Sequence, residues 1–138
     1  MHQALAILTF DTDGQGFREI TDDVNNWIRA TDIRMGQVTL FCQHTSASVL
    51  VTENASPAVQ RDLLRWLDMA APEGEGYEHS AEGRDDMPAH VKTMLTGGSM
   101  TIPLADGKMM LGSWQAVYLL EHRHEAHKRY VVAQAMGD

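Results

Sequence analysis

The feature that most constrains the fold of this chain is a succession of short apolar runs separated by turn residues. Runs of about four to eight residues, bounded by Gly, Asp or Pro, are typical of β-strands. In the second half, an Asp106-Gly107 pair separates the runs 99–103 and 108–111, which predicts a β-hairpin. Further strand-type runs occupy residues 3–10, 17–20, 37–42, 49–52, 114–120 and 130–135.

Two longer segments have helical spacing of their apolar residues. Thr21 precedes two aspartates and predicts a capped helix that runs to Ala30. Ser56-Pro57 predicts the start of a second helix, and a short third helix is expected over 88–95. In a chain of 138 residues, this mixture predicts an α+β fold in a single compact domain. We expect a largely antiparallel or mixed sheet packed with two to three helices.

The composition argues against several classes of partner. The formal net charge is -8, from 19 acidic and 11 basic residues, which opposes nucleic-acid binding. No apolar run approaches the roughly 20 residues that span a bilayer, so no membrane association is expected. The chain starts without a secretory signal pattern and has one cysteine, Cys42, so no intrachain disulfide can form. We therefore expect a cytoplasmic protein.

Three histidines lie at segment ends: His44, His79 and His90. Three neutral imidazoles around an open position are a recurring catalytic arrangement for zinc, so this set is a candidate site for a divalent metal, zinc-like or magnesium, although its spacing matches no short metal-binding motif. The alternative is that each ring forms separate hydrogen bonds. A rival metal cluster is the segment 121–129, which contains His122, His124 and His127. For His124 and His127 we favour a solvated hairpin tip.

Several polar residues near these histidines are candidates for catalysis. Glu121 ends an apolar strand, where a carboxylate can enter a cleft and act as a base, and Gln115 starts the same strand. The two ends of such a strand are roughly 20 Å apart, so either the strand bends or a neighbouring subunit contributes one of them. Asp85 and Asp86 either cap the third helix or orient a histidine. Cys42 is favoured as a small buried residue rather than a nucleophile paired with His44.

Taken in order, the short motifs resemble those of the YjbQ family over nearly the whole of residues 1–138. The resemblance is carried by His44-Thr45-Ser46-Ala47, Glu53-Asn54, Pro57, Asp62-Leu63, Tyr77-Glu78-His79, Asp85-Asp86, Ala89-His90, Gly112, Trp114-Gln115, Glu121 and Arg129.

The resemblance implies a homotrimer with a histidine-lined site that holds a divalent metal and no organic cofactor. It also implies a secondary thiamine-phosphate synthase, a transferase that joins a pyrimidine methyl diphosphate to a thiazole phosphate and thus takes small phosphorylated substrates. Carried over by position, the metal ligands are His44, His79 and His90; the catalytic candidates are Glu53, Gln115 and Glu121; and Thr45, Ser46 and Arg129 line the site. The alternatives are a metal-dependent hydrolase and a non-enzymatic ligand-binding trimer.

Overall fold

Strands dominate the chain. In the computed structural model, which describes residues 1–74 and 76–138, the chain forms eight strands and three helices. The strands are β1 (His2–Thr12), β2 (Gly16–Glu19), β3 (Gly36–Cys42), β4 (Ala47–Glu53), β5 (Ser99–Ala105), β6 (Lys108–Met109), β7 (Gln115–Glu121) and β8 (His127–Gly137). The helices are α1 (Thr21–Ala30), α2 (Pro57–Ala70) and α3 (Asp86–Thr96). The α+β class predicted from the sequence is confirmed.

The strands form two antiparallel sheets. The larger has the order β1-β8-β3-β5-β6, and the smaller has the order β2-β7-β4. Long-range pairs hold both sheets together, since β1 at the start of the chain pairs with β8 at its end. The hairpin predicted at Asp106-Gly107 joins β5 to β6, although β6 is only two residues long.

The hydrophobic core lies between the inner faces of the two sheets. Along β8, buried and more exposed side chains alternate, and Val131, Ala133 and Ala135 point into the core. Strand β7 differs, because its side chains are buried on both faces from Ala116 to Glu121. Val117 belongs to the core, whereas Tyr118 on the other face packs edge-on against Phe17 of β2. The strand that ends at Glu121 is therefore held on both sides.

The helix starts differ from the sequence prediction in one consequential way. Helix α3 begins at Asp86, two residues before the predicted start, so Asp86 and His90 lie one turn apart on the same face. Helix α1 ends at Ala30 as predicted, but Thr21 is its first residue and not its cap, and the Thr21 hydroxyl accepts the N–H of Val117. Pro57 occupies the first turn of α2 as predicted. None of the helices among the described residues is long and apolar enough to cross a bilayer.

The close approach of β3 and β8 at Gly36 provides a test of the fold. Gly36 pairs with Gly137 and has a φ of 154°, and a Cβ on it would lie 1.9 Å from the Met136 carbonyl oxygen. We expect Gly36→Ala to lower the free energy of unfolding by about 3 kcal/mol or more, because both strain and overlap oppose the side chain. Urea unfolding measures this loss.

The matched control is Gly98→Ala, since a Cβ at Gly98 meets nothing within 4 Å. A Gly36→Ala chain as stable as the Gly98→Ala chain would show that the strands do not meet as described.

Candidate functional site

A cluster of potential metal ligands lies where the α2–α3 connection meets the start of α3. The connection supplies His79 and Glu82, and the first turns of α3 supply Asp86 and His90. Asp86 Oδ2 is 2.9 Å from His79 Nε2 and 3.2 Å from His90 Nε2. Glu82 Oε2 is 3.3 Å from His79 Nε2. One ligand atom from each of the four residues lies within 4.8 Å of all the others, so a single ion can reach them together.

The orientation of the His90 ring indicates what the cluster requires. His90 Nδ1 is 2.9 Å from the Thr45 carbonyl oxygen, which only accepts, so Nδ1 must carry a hydrogen. In the neutral ring, Nε2 then presents a lone pair toward Asp86 Oδ2, which is also an acceptor. Two acceptors 3.2 Å apart repel each other unless a cation lies between them. This cation is either a proton on the ring or a metal ion. A carbonyl behind the ring is also the usual support of a metal-bound histidine.

Asp86 is buried and ionised. It is 3% exposed, and its second oxygen, Oδ1, accepts a hydrogen bond of 2.8 Å from Arg123 Nη1. Burial by itself would raise the pKa of Asp86, but the charges of His90 and Arg123 outweigh burial and hold the pKa below its usual value. A negative oxygen therefore faces the two histidine rings at neutral pH.

His44 lies outside this cluster. Its Nε2 accepts the backbone N–H of Tyr130 at 2.8 Å, and its ring stacks on the Tyr130 ring. Burial, and then the charge of Arg129, lower the pKa of His44. Of the three histidines expected to share an ion, the structure brings together His79 and His90. The cluster contains the carboxylates of Glu82 and Asp86 and not His44, whose ring accepts from the β8 backbone. The carbonyl of the next residue, Thr45, accepts from His90.

A buried ion pair lies beside the cluster at the ends of β7 and β8. Arg129 Nε donates to Glu121 Oε1 at 2.8 Å, and Nη2 donates to Glu121 Oε2. Thr12 also donates to Oε1 at 2.6 Å. Glu121 is 1% and Arg129 is 4% exposed. Burial would raise the pKa of Glu121, but the hydrogen bonds from Arg129 and Thr12 lower it. In this arrangement the Glu121 carboxylate holds Arg129 in place.

Arg129 connects this ion pair to the cluster of potential ligands through the main chain. Its Nη2 donates to Ser46 Oγ at 2.9 Å and to the Ser46 carbonyl at 3.2 Å. Ser46 is buried and directly follows Thr45, whose carbonyl accepts from His90. Of the residues expected to line the site, Ser46 and Arg129 thus fix the position of Thr45, and Thr45 contributes its backbone.

Glu53 and Gln115 lie at the opposite end of the smaller sheet. They pair with each other, whereas Glu121 pairs with Ala47 at the other end of the same two strands, roughly 20 Å away. Gln115 Oε1 accepts the N–H of Gly112 at 2.8 Å. Within the described part of the chain, Glu53 Oε2 is buried with no hydrogen-bond partner. One subunit therefore keeps this pair apart from the cluster of potential ligands.

The segment after β7 matches only in part the solvated tip expected for His124 and His127, because His127 already begins β8. Strand β7 ends at Glu121, so His122 and His124 do not share a strand face. His124 is exposed and lies 2.7 Å from Glu73, as a tip residue would. His122 is 2% exposed, and its Nε2 is 2.9 Å from the Ser48 hydroxyl. Cys42 is also buried, which raises the pKa of its thiol.

Comparison with known proteins gives consistent matches over the whole domain. The family model described as UPF0047 protein YjbQ-like matches residues 6–138. The UPF0047 protein sll1880 of Synechocystis is 39% identical over 133 residues, which cover 96% of this chain and 90% of the relative. The UPF0047 protein YjbQ of Escherichia coli O157:H7 is 36% identical over 132 residues, covering 95% and 96%. A solved structure of a YjbQ/UPF0047 protein from Clostridium acetobutylicum has a TM-score of 0.83 at 34% identity, covering 96% and 99%.

The buried His122 predicts a specific dependence of stability on pH. Burial, and then the charge of Lys92, lower the pKa of His122 from 6.5 to about 4 in the folded state. Between these values the unfolded chain binds the additional proton, so stability is complete above pH 6.5 and falls as the pH drops toward 4. The expected loss is about 3 kcal/mol. Urea unfolding at several pH values measures it.

The variant His122→Gln keeps a hydrogen-bonding group and removes the titration, so its stability should depend less on pH in this range. The exposed His124→Gln serves as the control and should keep the wild-type slope. Equal slopes for His122→Gln and wild type would contradict the assignment.

Proposed function

We propose that this chain, which belongs to the UPF0047 protein YjbQ-like family, is a metal-dependent enzyme that acts on a small phosphorylated molecule. The observation that carries the proposal is the geometry at Asp86. One of its oxygens faces the Nε2 atoms of His79 and His90, and the Thr45 carbonyl leaves His90 with a lone pair on that side. At His90 either a proton on Nε2 or a metal ion satisfies both acceptors, and the metal ion is favoured because His79 and Glu82 offer ligand atoms within reach of the same point.

The donor set fits a zinc-like ion better than magnesium. Two imidazoles and one carboxylate form a common catalytic zinc set, and Glu82 is a fourth ligand in reach. Asp86 Oδ2 lies 2.9 Å from His79 Nε2 and 3.2 Å from His90 Nε2, so these three ligand atoms are close enough for one ion to contact them together. Magnesium prefers oxygen ligands in an octahedral arrangement, which two nitrogens do not provide.

A cavity beside His79 suits a phosphate group. Its volume is about 290 Å³, and besides His79 it is lined by Tyr77, Ser80, Arg84, Met87 and glycines at 74, 76 and 83. In a chain with a net charge of -8, an arginine and a hydroxyl group beside a metal centre supply a local environment that attracts anions. This favours a phosphorylated substrate bound with its charged end near His79.

The finer proposal is a thiamine-phosphate synthase type of transfer. The methylene carbon of a pyrimidine methyl diphosphate loses pyrophosphate and bonds to the nitrogen of a thiazole phosphate. A bound divalent ion supplies positive charge against the departing diphosphate. Arg84 binds phosphate oxygens, and Asp86 and the Thr45 carbonyl keep the two histidine rings in place. Glu53 and Gln115 take part only if a neighbouring subunit brings them to the cluster.

A second candidate function is metal-dependent hydrolysis of a phosphoester. It is favoured by Glu82, whose side chain is 66% exposed while its carboxylate lies 3.3 Å from His79 Nε2. A carboxylate at the open side of a metal centre can accept a proton from an attacking water. The two reactions differ in their requirements, because only the transferase needs two organic substrates.

We also propose that the chain assembles as a homotrimer through the outer face of the larger sheet. Val132 of β8 lies between Ile7 and Phe41 on the two neighbouring strands. Leu5, Ile7 and Phe41 are 68%, 58% and 52% exposed, which makes an apolar surface on an acidic chain. Sedimentation equilibrium at micromolar concentration should give three times the mass of 15.4 kDa. A monomer under these conditions would refute the assembly.

Metal content and turnover test the proposed function together. We expect purified wild-type protein to bind about one zinc per chain, and His79→Ala, Asp86→Ala and His90→Ala each to lose most of it, because each removes a ligand. His44→Ala should keep the metal, since its ring lies outside the cluster. Metal analysis gives the content, and pyrophosphate release from the pyrimidine diphosphate, with and without the thiazole phosphate, gives the reaction.

The exposed His124→Ala is the control and should match wild type in both measurements. Release that needs no thiazole phosphate would favour hydrolysis, and saturable binding without any release would favour a ligand-binding protein. Zinc content that is unchanged in His90→Ala would remove the metal centre from the proposal.

A further inference from the structure

We propose that Arg123 is a positioning residue that turns one oxygen of Asp86 toward the two histidine rings. This inference rests on the proposed metal centre and deepens it. The sequence places Arg123 in a charged segment with no sign of a role, and the structure buries most of its side chain, which is 15% exposed.

The three nitrogens of the Arg123 guanidinium each donate to the segment that carries the ligands. Nη1 donates to Asp86 Oδ1 at 2.8 Å, Nε to Asp85 Oδ2 at 3.0 Å, and Nη2 to the Glu82 carbonyl at 2.9 Å. Because Arg123 occupies Oδ1 of Asp86, the other oxygen is left for His79 and His90. The same side chain also fixes the backbone of Glu82.

The backbone of Arg123 connects this segment to the buried ion pair. Its N–H donates to Glu121 Oε2 at 3.2 Å, and the next N–H, of His124, donates to Asp85 Oδ2 at 2.9 Å. The guanidinium therefore extends from a fixed point at the end of β7. The ligand segment is held from one side by Arg123, while His90 is held from the other side by the Thr45 carbonyl.

The conformation of Gly83 independently indicates that the segment folds closely around Arg123. Gly83 has a φ of 109°, which L side chains rarely adopt. A Cβ at this position would lie 3.2 Å from Asp85 Oδ1 and 3.8 Å from Arg123 Nη2. The turn at Gly83 lets the Glu82 carbonyl and the Asp85 carboxylate approach the same guanidinium.

A lysine cannot reproduce this arrangement. Its single ammonium group lacks the planar fork that reaches three acceptors from three nitrogens. With Arg123 replaced, Asp86 is free to rotate and to offer both oxygens or neither to the ion. Loss of a residue that orients a metal ligand typically lowers metal affinity 10–100-fold, so we expect a fall of about that size.

The test compares zinc affinity in wild type, Arg123→Lys and Arg123→Gln, by competition with a chelator. The control is Arg65→Lys, which alters an exposed arginine on α2. Thermal unfolding followed by circular dichroism establishes that each chain is folded. We expect both Arg123 variants to bind zinc about 10–100-fold more weakly, and Arg65→Lys to match wild type. Cobalt substitution adds a second measurement, because the visible absorption of Co²⁺ should change in shape when Asp86 changes its mode of binding.

If the Arg123 variants do not fold, Asp85→Asn weakens the support of the guanidinium and leaves its contact with Asp86. This variant should bind zinc severalfold more weakly and alter the cobalt spectrum. Folded Arg123 or Asp85 variants with wild-type affinity and spectrum would overturn the positioning role while the metal centre stands. Wild-type protein that binds neither zinc nor cobalt would overturn the metal centre, and the positioning role with it.

Discussion

The buried pair of Glu121 and Arg129 is the interaction on which the arrangement of this molecule depends. It joins the ends of β7 and β8, which belong to different sheets, and it lies where both strands leave the core. Arg129 continues to Ser46 at the start of β4, and the Glu121 carboxylate also accepts from Thr12 at the end of β1 and from the Arg123 backbone. One ion pair thus fixes four strand ends and the two supports of the histidine–carboxylate cluster.

The burial of this pair explains why so many donors surround it. Taking two charges out of water is costly unless their remaining hydrogen-bonding groups are satisfied, and loss of one partner from such a pair typically costs 3–5 kcal/mol. Both oxygens of Glu121 accept hydrogen bonds from Arg129, with further donors from Thr12 and Arg123. The pair therefore specifies one arrangement of the strand ends. The same contacts fix the positions of the residues in the cluster beside it.

The sequence was sufficient to predict the helices and strands and part of the histidine–carboxylate cluster. Apolar alternation and turn residues predicted the strands and the α+β class, because these patterns reflect local geometry and burial. Two of the three candidate histidines, His79 and His90, do meet. A further signal was available in the spacing of Asp86 and His90, which are four residues apart, but it acquires meaning only if the helix begins at Asp86 rather than at Pro88.

What the sequence did not provide are the contacts between distant segments. His44 follows a strand, as expected, but its ring is taken by the backbone of Tyr130, 86 positions away. Arg123 and His122 are adjacent in a segment rich in charge, yet one enters the ligand cluster and the other is buried against Ser48. No local pattern distinguishes these neighbours, because their surroundings are set by how the two sheets close. The separation of Gln115 from Glu121 followed from the rise of a strand alone, whereas the position of Glu53 beside Gln115 depends on the pairing of β4 with β7.

The support of His90 by a main-chain carbonyl has a consequence for the substitutions that residue 45 can accept. A contact made by the backbone does not depend on the identity of residue 45, so sequence drift at that position leaves the imidazole oriented as before. The orientation of the ring depends instead on Ser46 and Arg129, whose hydrogen bonds fix the path of the main chain beside Thr45. The residues that determine the orientation of His90 are therefore Ser46 and Arg129, although the residue in contact with its ring is Thr45.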